Sequence, residues 1–482
     1  NGKTIEVMNT DAEGRLIIAG GGTSGLAAAL ILRARFENIE IKIIKSDRLG
    51  IVGVGEGTSE HWSEFMSVCN IKPEDLIREA DATFKFGIMF RDWTPKPYLH
   101  FVDNDHRFTI GQYDLFYAYC IANKISFNEI MSPFLKKNLM SKNVRCNLYH
   151  FNTYKLNQFL IKKCKERNIK VIDDEIVDVV HTDKIESLKG LKKTYKADFY
   201  FDCTGFKKLL ISKLGSKWKP FNLLMNEGMA FNTNDENNYN PWTLAQAMNA
   251  GWLWRIPTYN RSGNGYIYNS NYITREKAQQ EVEKLLGHPI KIEKFIKFND
   301  GYLEKPWIKN CMAIGLSALF AEPLGASAIG ASVQQTFCFC NYISNYTEKE
   351  IDTFNKHWQI TSWNIRNFVA LHYLAKGKNT SFWKNEKITF SDDFQEKLNT
   401  WKRRLPITQD FQSRYLNFHE INHIYVLEGI NHFNRKDIAK EISLYSASLH
   451  KQMRVKYLNQ IKTETKDAIT IKGYLDRIHN GY

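Results

Sequence analysis

Leu16, Ile17, Ile18 and Ala19 form a short unbroken apolar run, the pattern of a parallel strand buried on both faces. Gly20-x-Gly22-x-x-Gly25 follows at once. Leu26-Ala27-Ala28-Ala29-Leu30-Ile31-Leu32 continues as a buried helix, and Ile39-Glu40-Ile41-Lys42-Ile43-Ile44 reads as a second strand. Strand, glycine turn, helix and strand together make a βαβ unit. The uncharged stretch 16–32, flanked by Arg15 and Arg33, is too short to cross a membrane, which takes about 20 apolar residues. Its glycines also place a turn in its first half, so a soluble protein is expected. Further on, residues 159–168 read as a helix, and 169–173 and 176–180 as strands. Phe199-Tyr200-Phe201 is an aromatic strand that ends in Asp202-Cys203-Thr204-Gly205. The chain returns to the sheet at Cys311-Met312-Ala313-Ile314-Gly315-Leu316, and small uncharged residues follow to Ser332. Trp252 and Trp254 stand at strand spacing, with both rings on one face. Beyond residue 340 the pattern turns helical, with amphipathic stretches at 351–371, 394–402, 438–454 and 456–466, and a break at Arg403-Arg404-Leu405-Pro406.

The chemistry follows from the turns. In a βαβ unit the three glycines allow a tight turn, close approach of the backbone to a pyrophosphate, and close contact of helix and strand. The helix N-terminus adds N–H donors and a positive dipole end. Gly20, Gly22, Thr23, Ser24 and Gly25 are therefore candidate dinucleotide ligands. The acidic residue expected about 20 positions later, for the adenosine ribose, is missing. Lys45 stands there, with Asp47 close by. The Asp202 turn, at the C-terminal end of a strand, is where α/β sheets hold ligands. Lys85 is the one charged residue in Ala82-Thr83-Phe84-Lys85-Phe86-Gly87-Ile88-Met89-Phe90. A buried lysine loses its charge readily and becomes nucleophilic, while a snorkelling lysine at a strand edge fits the same pattern.

Composition narrows the class. At about 100–200 residues per domain, 482 residues make two or three units or one large two-part fold. With 43% hydrophobic and 13% aromatic residues, disordered and fibrous classes are excluded. The net charge of +14 allows nucleic acid, an anionic membrane, acidic ligands or merely a basic surface. The lysines are scattered, which favours the surface. Eight cysteines without a CxxC pair fit a reduced intracellular protein rather than a disulfide or zinc scaffold. Cys338 and Cys340, at strand-like spacing beside Phe337 and Phe339, read as core.

Taken together, these pieces resemble the flavin-dependent halogenases of the tryptophan type, with the marine phage and bacterial branch the nearer in style. Gly20-x-Gly22-x-x-Gly25 is similar to the family's FAD fingerprint, and Gly53-Val54-Gly55-Glu56-Gly57-Thr58 to its GVGEAT element. Gly251-Trp252-Leu253-Trp254-Arg255-Ile256-Pro257 carries its WxWxIP signature, which separates the group from other flavin monooxygenases. Asp202-Cys203-Thr204-Gly205-Phe206 resembles its DCSGF turn, and Glu322-Pro323-Leu324 opens its EPLEST-like segment. The resemblance covers about residues 15–340.

It implies an α/β fold of the FAD-binding Rossmann-like, glutathione-reductase type found in the flavin monooxygenase superfamily, with an added helical substrate-binding part. On this reading residues 14–340 hold the FAD core with an interleaved substrate-side sheet, and 341–482 a mainly helical lid. The implied enzyme is two-component. FADH2 from a separate flavin reductase reacts with O2, halide is converted to hypohalous acid, and Lys85 passes the halogen to an aromatic substrate, either by hydrogen-bonding the acid or as a haloamine. Implied FAD contacts are Gly20, Gly22, Thr23, Ser24, Gly25, Gly55, Glu56, Gly57, Thr58, Asp202, Gly315 and Leu316. The backbone of Ser327 and Ala328 is the implied halide site, Trp252 and Trp254 are gate residues, and His100 and Phe101 stand at the substrate wall. One departure is chemical: Gly325 stands where the family carries a catalytic carboxylate, and Ala326 replaces its serine. A roomier site for chloride, bromide or iodide and for phenols, indoles or anilines is expected. No metal, membrane or nucleic-acid partner is expected, and a cytoplasmic location is; the oligomeric state, a homo-oligomer included, stays open. The alternatives are an aromatic hydroxylase of the same fold, a basic FAD-fold protein that binds nucleic acid, and a flavin binder without catalysis.

Overall fold

The structure, a computed structural model, describes residues 14–51, 56–102, 113–130, 138–141, 148–234, 239–413, 416–461 and 468–481. Two compact units are each built from three chain segments: residues 1–81, 151–223 and 299–365 in the first, 82–150, 224–298 and 366–482 in the second. The long helix Glu348–Leu371 runs through the last change of unit.

The first unit contains the expected βαβ start. Its six-stranded sheet runs Trp307–Ile308, Cys311–Ala313, Phe199–Asp202, Gly14–Ala19, Ile39–Lys45, Lys170–Asp173, and all pairs are parallel except the first. From Gly14–Ala19 the chain moves outward to one side, then returns to place Phe199–Asp202 on the other. That reversal opens a crevice at the C-terminal ends of the two central strands. The helix Thr23–Arg35 buries every residue from Gly25 to Leu32. Each fully buried Leu or Ile there contributes about 1.5–3 kcal/mol. The helix Thr153–Glu166 begins six residues before the expected 159, because Asn152 caps it by accepting from the backbone N–H of Tyr154 and Lys155.

The small-residue stretch ending at Ser332 is the first part of the helix Ser327–Cys340. This corrects the strand-like reading of Cys338 and Cys340: two residues apart on a helix they diverge, and Phe339 between them is the fully buried one. Its ring packs 4.9 Å from Phe199, 5.1 Å from Phe201 and 5.0 Å from Trp307.

The second unit is built on a seven-stranded sheet in the order Ile292–Lys297, Glu227–Thr233, Arg261–Tyr268, Gly251–Thr258, Trp242–Met248, Gly87–Arg91, Tyr98–Phe101. Only Trp242–Met248 and Gly87–Arg91 pair in parallel. The helix Arg275–Leu286 seats Ala278 and Val282 against Met229, Phe231, Leu253, Tyr266 and Tyr268. Trp93, 5.3 Å from Trp383 and 5.5 Å from Tyr373, anchors the helical C-terminal residues of this unit. A helix occupies Asp392–Trp401, close to the expected 394–402, but the expected helix 438–454 is split between Arg435–Ser443 and Ala447–Ile461. The second of these runs through the expected boundary at 455, and residues 462–466 of the last expected helix lie outside the described residues. Among the described residues no helix is long and apolar enough to cross a membrane, and no His, Cys, Asp and Glu cluster could hold a metal ion.

Candidate functional site

The candidate residues fall in both units. Gly20 to Gly25, Gly57, Thr58, Asp202, Gly315, Leu316, Ser327 and Ala328 belong to the first; Lys85, His100, Phe101, Trp252 and Trp254 belong to the second. Gly55 lies outside the described residues, as does the side chain of Glu56.

In the first unit three turns meet at the end of the parallel sheet. Gly20 has φ +121°, and a Cβ there would stand 2.1 Å from the Cys203 carbonyl oxygen. Only glycine fits between these strand ends. Gly22 is the N-cap of the helix Thr23–Arg35, has no side chain to cap it, and an added Cβ would meet nothing within 4 Å. The missing side chain leaves room at the helix start for the close backbone approach that a pyrophosphate requires. Gly315 has φ +68°, and a Cβ on it would strike Ser24 Oγ at 2.4 Å. Ser332 donates to the Ala328 carbonyl at 2.8 Å, so its oxygen accepts from Ser24 at 2.9 Å. Thr58 is fully buried.

Asp202 is also fully buried, and its carboxylate is occupied within the protein. It accepts from Thr204 N and Oγ1, Leu210 N, Ile211 N and Ser317 Oγ at 2.7–3.2 Å. The aspartate thus shapes the turn and aligns the Gly315 turn with it. Lys45 packs its stem against Gly21, where an added Cβ would lie 2.7 Å from the lysine Cβ, and its ammonium pairs with Asp47. The Asp47 N–H in turn donates to Asp173 at 2.9 Å. Asn157, which the sequence did not mark, donates to the Gly21 carbonyl at 2.6 Å and fixes the glycine turn. The glycine cradle, the uncapped helix start and a carboxylate held at the end of the second strand fit the FAD that the sequence implies.

Before the helix Ser327–Cys340 the chain passes through two left-handed residues, Gly325 at φ +87° and Ala326 at φ +55°. Ala326 is the N-cap and offers no side-chain acceptor, Ser327 is buried, and Ala328 is exposed. Glu322, in the same segment, is fully buried.

In the second unit Lys85 is fully buried. It sits between the strands Thr83–Phe84 and Gly87–Arg91, and backbone bonds pin it on both sides: Lys85 N donates to Leu148 O at 2.9 Å and Phe86 N to Pro241 O at 2.7 Å. Thr83 stands opposite His150 in an antiparallel pair. Its hydroxyl donates to the carbonyl of Pro257, in the WxWxIP strand, at 2.7 Å. With that proton committed, Thr83 accepts from His150 Nδ1 over a long 3.5 Å, and His150 Nε2 accepts from Thr243 at 2.9 Å. Burial, then the neighbouring Lys85 charge, push the His150 imidazole well below its ordinary range. His100 is likewise held neutral, by burial first and then by His372, Lys85 and His423. Burial lowers His372 to about 3 and His423 to about 4. Lys85 therefore has uncharged imidazoles in its surroundings.

Trp252 is buried and Trp254 half-buried, with ring centroids 6.0 Å apart. Trp254 lies across Gly265, where a Cβ would come within 2.2 Å of its ring. His100 is fully buried 5.3 Å from the Phe368 ring, and the half-buried Phe101 lies 6.2 Å from Tyr425. His150, Thr243, His372 and Asn422 were not legible beforehand. Each is an isolated polar residue in an aromatic or helical stretch, and only strand pairing and helix packing bring it to Lys85 or His100.

Comparison with known proteins accords with this geometry. The tryptophan 6-halogenase of Streptomyces toxytricini is 26% identical over 487 residues, covering 88% of this chain and 90% of its own. The tryptophan 7-halogenase of Lentzea aerocolonigenes is 26% identical over 84% of this chain and 86% of its own. The crystal structure of a tryptophan halogenase from Shewanella frigidimarina superposes with a TM-score of 0.87 at 25% identity, over 97% of this chain and 98% of that one. A family model described as tryptophan halogenase matches residues 15–440, well over half the length, and the chain belongs to that family of flavin-dependent halogenases.

Proposed function

We propose that the protein halogenates an electron-rich aromatic small molecule with hypohalous acid made from halide and O2, and that Lys85 delivers the halogen. The observation that carries the reading is Lys85 itself: fully buried, fixed by backbone bonds on both sides, and near imidazoles that burial keeps neutral. Bound reduced FAD, loaded by a separate flavin reductase, supplies the redox chemistry that converts halide to hypohalous acid. Gly20, Gly22, Thr23, Ser24 and Gly25 would hold its pyrophosphate, with the Asp202 and Gly315 turns beside them. Gly57 and Thr58, and Gly55 and Glu56 before them, complete the contact set we assign, with Leu316. The backbone N–H groups of Ser327 and Ala328 are the halide donors, a role supported by the two left-handed residues that lead into this helix start.

Lys85 can act in two ways. As an ammonium it donates to the oxygen of HOX, so that halogen leaves toward the ring as water forms. As an amine it takes the halogen, RNH2 + HOX giving RNHX + H2O, and the ring then takes the halogen from nitrogen while its own proton completes RNH2. Either way the sum is ArH + HOX giving ArX + H2O. With glycine at 325, the ring proton returns to the Lys85 nitrogen, restoring the ammonium in the first route and completing the amine in the second. Trp252 and Trp254 are proposed as the bulky wall that keeps organic substrate from the flavin, and His100 and Phe101 as the substrate wall. The relatives named above act on tryptophan. The small Gly325 and Ala326 point to a broader set of indoles, phenols and anilines for this chain.

The test is mass spectrometry of an aromatic panel incubated with FAD, a reductase, NADH and chloride, bromide or iodide in competition. A shift by one halogen mass is expected, and an oxygen insertion instead would favour the hydroxylase. Lys85→Met, which keeps the volume but removes the amine, should lower product at least ~100-fold with the melting temperature kept or raised. Undiminished halogenation by that variant would remove Lys85 from the mechanism. Strict preference for chloride would count against the roomier site.

A further inference from the structure

One face of the strand pair Gly87–Arg91 and Tyr98–Phe101 carries an unmatched polar set. Tyr98 pairs with Phe90 and His100 with Ile88, so these four side chains share that face. Phe90 stacks on Tyr98 at 4.7 Å and on His372 at 4.7 Å, which brings His372 to the same face. Tyr98 Oη, His100 Nδ1 and His372 Nε2 are all buried there, and none has a hydrogen-bond partner among the described residues.

The tautomers follow from the bonds that do form. The His419 N–H donates to Asn422 Oδ1 at 2.8 Å, which fixes the orientation of that amide. Asn422 Nδ2 therefore faces His100 Nε2, at 3.4 Å, and donates to it. His100 Nε2 is thus an acceptor, and the proton of the neutral ring sits on Nδ1. That N–H is an unmatched buried donor. In His372 the reverse holds: Nδ1 donates to the Phe368 carbonyl at 2.9 Å, and Nε2 is a bare acceptor. Buried polar groups are almost always paired, so a donor and an acceptor left open near a buried lysine mark where a ligand group belongs.

A donor on His100 selects by chemistry. An indole N–H offers His100 no accepting lone pair, and that of an aniline is largely delocalised into the ring, so it accepts poorly. A hydroxyl oxygen on an aromatic ring accepts readily and leaves its own proton to donate. A carboxylate would bring a charge into an aromatic setting of Phe90, Phe368 and Tyr425.

Resting on the halogenase reading above, we propose that the substrate class is hydroxylated arenes, with the ring hydroxyl oxygen accepting from His100 Nδ1–H and the bare His372 Nε2 on the same face as the acceptor for the hydroxyl proton. His100 is then a specificity residue and not only a wall. The hydroxyl also activates the ring toward the electrophilic halogen.

The test is binding to the flavin-free protein, by calorimetry, of indole and of its 4-, 5-, 6- and 7-hydroxy derivatives. At least one hydroxyindole should bind about tenfold tighter than indole, the usual worth of one buried hydrogen bond. His100→Phe keeps an aromatic ring and removes the donor. It should collapse that ratio to near one by weakening the hydroxyindole alone, while His100→Asn, which retains an N–H, keeps part of it. Equal binding of all five ligands by the unaltered protein would overturn the proposal even if neither variant folds. Equal weakening of indole and hydroxyindole in His100→Phe would do the same, and would mark the open atoms as the seat of a structural water. Failure of the halogenase reading is separate: it is the absence of any halogenated product with reductase and halide, whatever the binding ratio.

Discussion

Lys45 shows how a single side chain can depart from a family pattern and keep its geometry. Its stem lies on Gly21 and its ammonium holds Asp47, whose backbone is tied to Asp173. A carboxylate is thereby fixed near the place where a ribose-binding acid is expected. Asp47→Asn should weaken FAD binding about tenfold, as read by quenching of flavin fluorescence, and leave FMN, which lacks the adenosine, unaffected. Lys45→Glu should restore the usual acid and bind FAD at least as well as the unaltered chain. If Asp47→Asn binds FAD normally, the ribose contact lies elsewhere. Gly325 is the other residue-level departure. Its left-handed φ of +87° means that a glutamate introduced there carries strain of about 1–2 kcal/mol, so the missing carboxylate is not restored by substitution alone.

At the scale of elements, backbone contact sets where the chemistry can be. Gly20 against the Cys203 carbonyl joins the two central strands of the parallel sheet, and Gly265 beneath Trp254 seats the WxWxIP strand. Gly265→Ala places a methyl within the Trp254 ring, so the ring must move. We expect this variant to stay folded, to lose about 1–3 kcal/mol in urea unfolding, and to show altered Trp fluorescence. Unchanged stability and fluorescence would mean that Trp254 does not rest where it is placed. Gly20→Ala is the harsher change, because both φ and contact forbid it; loss of FAD binding is expected together with lowered stability.

The whole molecule carries a pH response. His100, His150, His372 and His423 are kept neutral by burial. In the unfolded chain they protonate near the ordinary histidine value of about 6.5, while in the fold they resist protonation until far lower pH. Below about 6.5 the unfolded state binds more protons, so stability falls as the pH falls, with each such histidine contributing about 1.4 kcal/mol per pH unit. The decline continues toward the folded values of about 3 for His372 and about 4 for His423. Glu428, whose carboxyl burial raises, acts in the opposite direction. Urea unfolding at pH 7.0, 6.0 and 5.0 should show a fall that steepens below 6.5. A flat profile would show that these imidazoles are hydrated.

The local patterns were determined by sequence alone. An apolar run, a glycine spacing and an alternating strand are short-range properties, so the βαβ start, the Asp202 turn, the paired tryptophans and the isolated Lys85 could all be read in order along the chain. Tertiary structure decided what long-range pairing alone can supply. The small residues up to Ser332 already allowed a helix start, but only the packing of Phe339 on Phe199, Phe201 and Trp307 shows that Cys338 and Cys340 sit on that helix and not on a strand. Asp202 organises its own turn through four donors within nine positions, and only the fifth, Ser317, 115 positions away, ties the Gly315 turn to it. His150 reached Thr83 across 67 positions, and Asn422 reached His100 across 322. No periodicity encodes such contacts. They exist only once the sheets and helices have packed, and they set which imidazole nitrogen carries its proton.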